Sequence, residues 1–276
     1  MSKPKISIVI ATFNRAHLIE RALVRYEKQG FPLEDLELVY VEDWSQDWTD
    51  KLLRQWSNRL NIITVRPRYK DPKVWRSEAS IINLGLQASK GELVILTHPE
   101  ILIGNMTLVR MWEHRREGTY HCAKIYYLTT NDQNYLDNTD WEEDALAVRN
   151  VPHFYMEPSA EVSGHSDYTH EATDRHPIWE SWVFGGFTRE TWREFGGLTE
   201  FEAWGSVDVD FLGRRRACHY RNYTELDEDT ICIHQNHDLP SLENPYFVPT
   251  NRNMDMALSN LPFYGSKENA LKGPVW

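Results

Sequence analysis

Three short apolar runs, each closed by a cluster of polar side chains and separated by helix-length segments, constrain this chain more than any other feature. Ile6–Ala11 runs into Thr12-Phe13-Asn14-Arg15, Leu36–Val41 into Glu42-Asp43-Trp44-Ser45, and Leu93–Leu96 into Thr97-His98-Pro99-Glu100. The first run alternates too little for a sheet with one wet face, so it reads as a strand buried on both sides. Between the runs lie segments of helical period. Leu18, Ile19, Ala22, Leu23 and Tyr26 recur on one face of a helix over 16–29, which Gly30 and Pro32 stop. Further helices are predicted over 49–60 and 77–89, with a strand at 61–66. Such repeated alternation predicts an α/β domain of Rossmann type, its central sheet mixed but mainly parallel and covered by helices. In such sheets ligands sit beyond the carboxyl ends of the strands, where Thr12, Arg15, Glu42, Asp43, His98 and Glu100 collect.

Downstream, 107–116 reads as a helix, 120–128 as one strand, 188–195 as a helix, and 201–217 as a turn followed by a helix. The segment 131–176 is polar, acidic and His-rich, and reads as a partly ordered active-site loop. His153, His165, Asp167, His170 and His176 within it match no metal-ligand spacing. The expected organisation is one domain over 1–240, with halves at 1–105 and 106–240, and an Asn/Pro-rich tail at 241–276.

Composition excludes several classes. A net charge of −11 argues against a non-specific nucleic-acid binder. No apolar run approaches the ~18–20 residues of a membrane span, and the first strand begins too early for a leader peptide to precede it. Cys122, Cys218 and Cys232 form no CxxC pair, so a reducing, cytoplasmic setting is expected. Eleven Trp suit either an aromatic core or the stacking of sugar faces; Trp44, Trp48, Trp179, Trp182 and Trp204 lie near the polar clusters.

The order and content of these segments resemble the inverting glycosyltransferases of family 2, which have the GT-A fold. Ala11-Thr12-Phe13-Asn14-Arg15 matches the family's first turn, and Glu42-Asp43-Trp44-Ser45-Gln46-Asp47-Trp48-Thr49 its Asp-Asp-Gly-Ser segment. Asn83-Leu84-Gly85 followed by Gly91-Glu92 and a strand leads to His98-Pro99-Glu100, in the place of the family's Asp-x-Asp. Phe195–Arg214 resembles Gly-Gly-Phe-Asp-Glu, then Trp-Gly-x-Glu-Asp-x-Asp-Phe, then Arg.

The resemblance implies a nucleotide-sugar donor, UDP-linked, a carbohydrate or other hydroxyl-bearing acceptor, and a Mn²⁺ or Mg²⁺ ion. It assigns the metal to Glu100, with His98 at the first position of the turn and His234 after the last core strand. Thr12, Arg15, Glu42, Asp43, Asn83 and His98 would line the donor. Trp44 stands where the family has Gly, which implies a differently shaped loop. Asp208 would be the general base, while Val207 replaces a Glu. Asp210, two residues on, cannot share a helix face with Asp208 and is given a structural or acceptor-shaping role. Gly186, in what resembles an acceptor-side turn, and Trp182 and Trp204 would flank the acceptor. Two other readings compete: a catalytically silent sugar-binding or scaffold relative, and a nucleotidyltransferase. The latter needs a Gly-rich basic phosphate loop after the first strand, which Ala11–Arg15 lacks.

Overall fold

The structure, a computed structural model, describes residues 3–68, 78–123, 125–128, 133–134, 137–138, 184–200, 207–225, 230 and 232–236. Strands β1 (Ile6–Thr12), β2 (Leu36–Glu42), β3 (Ile62–Val65), β4 (Leu93–Thr97), β6 (Thr119–Ala123), β8 (Phe184–Thr188) and β9 (Arg221–Glu225) form a seven-stranded sheet. Its order is β3-β2-β1-β4-β8-β6-β9. β1 is parallel to β2 and β4, and β2 to β3. β8 runs antiparallel to β4 and β6, and β6 is parallel to β9. This is the expected mixed α/β sheet.

Every residue of β2 and β4 is buried, as a strand covered on both faces requires. Alternate side chains feed two cores. Ile6, Ile8, Ile10, Leu38, Tyr40, Leu93 and Ile95 pack with helices α1 (Ala16–Glu27), α2 (Thr49–Trp56) and α4 (Thr107–His114). Val9, Val39, Val94 and Leu96 pack on the opposite face with α3 (Glu78–Ala88), α5 (Arg189–Phe195) and α6 (Val207–Ala217). α3 lies so close to the sheet that a Cβ on Gly85 would meet Val9 Cγ1 at 2.4 Å and Val41 Cγ2 at 2.8 Å.

Three expectations are corrected. The single strand read over 120–128 is two: β6 joins the large sheet, and β7 (Ile125–Tyr127) joins a small one of order β5-β10-β7. Its other members, β5 (Ile101–Ile103) and β10 (Cys232–His234), pair antiparallel. Gly185-Gly186-Phe187 is no turn but the middle of β8. A Cβ on Gly186 would lie 2.1 Å from the Val94 carbonyl oxygen, so this glycine permits sheet closure and is not placed to meet an acceptor. Among the described residues no helix is long and apolar enough to cross a membrane, and Cys122, Cys218 and Cys232 are all buried thiols. Trp179, Trp182, Trp204, the His-rich residues 153–176 and the tail 241–276 lie outside the described residues.

Candidate active site

The carboxyl ends of β1, β2 and β4 lie side by side because the strands pair in register, Thr12 with Glu42 and Ile10 with Thr97. Two loops leave this edge and lock together. Asn14 sits at φ 53°, and its Oδ1 accepts from Gln46 N at 2.7 Å. Asp47 accepts from Ala16 N (3.1 Å) and Thr49 N (2.9 Å), so one carboxylate caps the first turns of both α1 and α2. Those hydrogen bonds outweigh its desolvation and lower its pKa. Asp43, beside Thr12, donates its backbone N–H to the Thr12 carbonyl (3.0 Å).

Glu42 departs from its expected role. It is buried, with one carboxylate oxygen accepting from Ser45 N and the other from Arg66 Nε at 3.0 Å. It organises the loop. Arg66 also lies over the Trp44 ring, 5.5 Å from its centroid. Trp44 itself has φ 60°, the left-handed backbone for which glycine is the ordinary choice. The loop therefore keeps a glycine-type bend there despite the indole, contrary to the expectation of a different shape.

Beyond β4, the turn His98-Pro99-Glu100 enters β5, which pairs with β10 so that Ile101 sits opposite His234. This pairing brings Glu100 and His234 together: His234 Nε2 lies 3.3 Å from Glu100 Oε1, and His98 Nδ1 lies 3.5 Å from the same oxygen. Ligand atoms from all three residues fall within 4.8 Å of one another. Two ligands about 2.1 Å from one ion are roughly 3–4.2 Å apart, a range that the two imidazole–carboxylate pairs at 3.3 and 3.5 Å meet. The protonation pattern agrees. His234 Nδ1 is 2.8 Å from the Gln235 carbonyl oxygen, which can only accept, so Nδ1 carries the proton. Nε2 is then the ring nitrogen that faces the Glu100 carboxylate. Nitrogen donors beside one carboxylate favour Mn²⁺ over Mg²⁺.

Glu78, in the first turn of α3, was not singled out by sequence reasoning; its carboxylate lies 3.8 Å from His98 Nε2. Burial raises its pKa, the Asp208 and Glu100 charges add to this, and His98 opposes it. Burial disfavours a charged His98, but the Glu100 hydrogen bond and the charges of Glu100, Glu78 and Asp208 outweigh it and raise its pKa. Asp208 therefore lies within electrostatic reach of both His98 and Glu78. It lies in the first turn of α6, half-buried.

Asn83 and Asp210 serve the scaffold. Asn83 exchanges two 2.9 Å hydrogen bonds with the backbone of Leu198 and donates to Glu200, which commits its amide away from a donor ligand. Asp210 is buried and accepts from Thr199 Oγ1 at 2.6 Å. Together with Arg214, which donates to the Gly197 and Phe195 carbonyls, they fix the turn between α5 and α6. Arg15 ends the first turn, its carbonyl accepting from Leu18 N and Ile19 N.

A sheet of this order with acidic and imidazole groups at its carboxyl edge defines a GT-A-type α/β domain. The family model for glycosyl transferase family 2 matches residues 7–152, more than half of the 276-residue chain, and the protein belongs to that family. Validoxylamine A glucosyltransferase of Streptomyces hygroscopicus subsp. jinggangensis is 42% identical over 59 residues, 21% of this chain and 14% of that protein. Poly(ribitol-phosphate) beta-glucosyltransferase of Bacillus spizizenii is 29% identical over 117 residues, 41% of this chain and 18% of that protein. The chain thus spans less than a fifth of the length of these curated relatives. Among solved structures, Staphylococcus aureus TarS 1–349 in complex with UDP-GlcNAc superposes with TM-score 0.65 at 17% identity, covering 96% of this chain and 69% of that one. The mannosyltransferase PcManGT from Pyrobaculum calidifontis, in complex with GDP-Man and Mn²⁺, superposes with TM-score 0.54 at 19% identity, covering 98% and 74%.

Proposed function

We propose that the chain transfers a sugar from a nucleotide-sugar donor, UDP-linked, to a hydroxyl of a carbohydrate or similar acceptor, by single displacement with inversion. The gathering of Glu100, His234 and His98, with Asp208 in electrostatic reach, carries this reading, and family membership and the nucleotide-sugar complexes of its structural neighbours support it. Asp43 and Thr12 hold the nucleoside side, and Arg15 lies toward the diphosphate. Glu100, His234 and His98 would hold a Mn²⁺ or Mg²⁺ ion, whose chemistry would be to neutralise charge on the departing nucleoside diphosphate. Asp208 takes the proton of the acceptor hydroxyl as its oxygen bonds to the anomeric carbon and the bond to the diphosphate breaks.

A panel of nucleotide sugars assayed for nucleotide release, with and without Mn²⁺ and carbohydrate acceptors, tests the reading. Metal-dependent release with one donor is expected, lost in Glu100→Ala and His234→Ala. Unaltered metal titration and turnover in both variants would remove these residues from the site.

A further inference from the structure

His98 has a carboxylate at each ring nitrogen. Its Nδ1 faces Glu100 Oε1 at 3.5 Å, on the side shared with His234, and its Nε2 faces Glu78 Oε1 at 3.8 Å. A neutral imidazole has one donor nitrogen and one acceptor nitrogen, so these neighbours cannot be served alike. With the lone pair on Nδ1, the ring joins Glu100 and His234 around an ion, and Nε2–H is left aimed at Glu78. With the opposite tautomer, Nδ1–H would occupy the ion's place. The outer carboxylate decides between them, because only Nε2–H can donate to it.

Glu78 is well placed to act this way. It lies in the first turn of α3, its side chain is 23% exposed, and α3 is seated on the sheet by the close approach of Gly85 to Val9 and Val41. Its contact comes from the opposite side of the ring to Glu100, so it can orient the imidazole without entering the metal's own ligand set. At 3.8 Å the pair stands outside hydrogen-bond range and within ion-pair range.

We infer that Glu78 is a positioning residue of the metal site, holding His98 in the Nε2–H tautomer so that Nδ1 ligates the divalent ion beside Glu100 and His234. This rests on the metal-binding reading above. Such outer carboxylates typically contribute about 10–100-fold to metal affinity.

The test is Mn²⁺ binding to the full chain without nucleotide, read by the loss of the free-ion electron paramagnetic resonance signal, with electron spin-echo modulation to count coordinated imidazole nitrogens. Glu78→Ala should weaken binding about 10–100-fold and reduce the coordinated imidazoles from two to one. Glu78→Gln, whose amide oxygen still accepts from Nε2–H, should keep both imidazoles and most of the affinity. Thermal unfolding of the metal-free variants controls for folding. Wild-type affinity in Glu78→Ala overturns the inference, and so do equal losses in the Ala and Gln variants, which would show that Glu78 contributes only charge. If wild-type protein takes up no Mn²⁺, or Glu100→Ala and His234→Ala bind it normally, the metal-binding reading fails and this inference with it. Loss in those two variants alone leaves the metal site standing and removes Glu78 from it.

Discussion

The side-chain amide of Gln235 donates to the backbone carbonyl of Glu100 at 3.1 Å and to that of Leu18 at 3.2 Å, while the Gln235 backbone N–H also donates to the Glu100 carbonyl at 3.2 Å. The residue following His234 thus ties the peptide of Glu100 to helix α1. Gln235 is fully buried, and its Oε1 accepts from Arg21 at 3.2 Å. Glu100 and His234 are held together by this brace as well as by the β5–β10 pairing.

Gln235→Leu keeps the volume but strips the amide. The Leu18 carbonyl and the Arg21 guanidinium each lose one hydrogen bond, while Arg21 keeps its ion pair with Asp137, and a hydrogen bond of this kind contributes about 0.5–1.5 kcal/mol. Urea denaturation should show a loss in that range, and the Mn²⁺ titration should weaken. A variant of unchanged stability would mean that the brace is redundant.

The large sheet was legible in the sequence because its central strands are buried on both faces and so carry unbroken apolar runs. Ile6–Ala11, Leu36–Val41 and Leu93–Leu96 show this plainly. The polar edge strand β9, Arg-Asn-Tyr-Thr-Glu, and the three-residue β5 were not, β5 being too short for any period to show; the equally short β10 was legible as the apolar strand ahead of its histidines. Motif order singled out Asp208, Glu100 and His234. Glu78 and Gln235 were not singled out because nothing local marks them: an acidic residue in a helix's first turn ordinarily serves the helix dipole, and their contacts exist only once distant elements meet. Asn83 illustrates the converse, since motif position suggested a ligand where its amide is committed to buried hydrogen bonds with Leu198, whereas the buried bond of Asp210 agrees with the structural role among its two readings.

The backbone at Trp44 makes a separate prediction. At φ 60° a side chain costs about 1–2 kcal/mol relative to glycine. Trp44→Ala loses the contact with Arg66 and keeps the strain, whereas Trp44→Gly loses the contact and relieves it. The glycine variant should therefore be the more stable of the two by about 1 kcal/mol. The reverse order, normal where φ is negative, would show that the bend is not left-handed.

His121 links stability to acid. It is fully buried, its Nε2 accepts from Arg116 N at 3.0 Å, and burial, with the charges of His114 and Arg116, pushes its pKa down to about 4. In the unfolded chain the pKa is about 6.5. Between these values the unfolded chain holds a proton that the folded chain does not, so stability falls as pH falls. The slope approaches about 1.4 kcal/mol per pH unit and levels off below the folded value. Above the unfolded pKa the group adds no pH dependence. Urea melts from pH 7 to pH 4 should show His121→Gln losing up to one proton's worth of this slope; an identical slope in both proteins would assign it elsewhere.

Asp43→Ala probes the donor side alone. A charged hydrogen bond to the base or ribose is worth about 1.5–3 kcal/mol, so calorimetry with UDP should show an affinity loss of roughly 10–150-fold by that amount. The Asp43 backbone bond to Thr12 survives the substitution, which keeps the loop in place. Unchanged affinity would remove Asp43 from the nucleoside contacts.

Asp208 separates acceptor chemistry from donor binding. Its carboxylate stands at the opening of α6, within electrostatic reach of His98 and Glu78, whereas Asp43 belongs to the loop after β2 on the nucleoside side. A base that acts opposite the leaving group should be dispensable for holding the nucleotide. Asp208→Asn preserves shape and removes basicity, and general-base catalysis is typically worth about 10²–10⁴-fold. Turnover should fall by at least that order while UDP affinity stays near that of the unaltered protein. Measuring both in the same preparation makes the result decisive. Near-normal turnover would exclude Asp208 as the base. A parallel loss of nucleotide affinity would place it in the donor site instead, and the proton acceptor would then have to come from another carboxylate on the acceptor side.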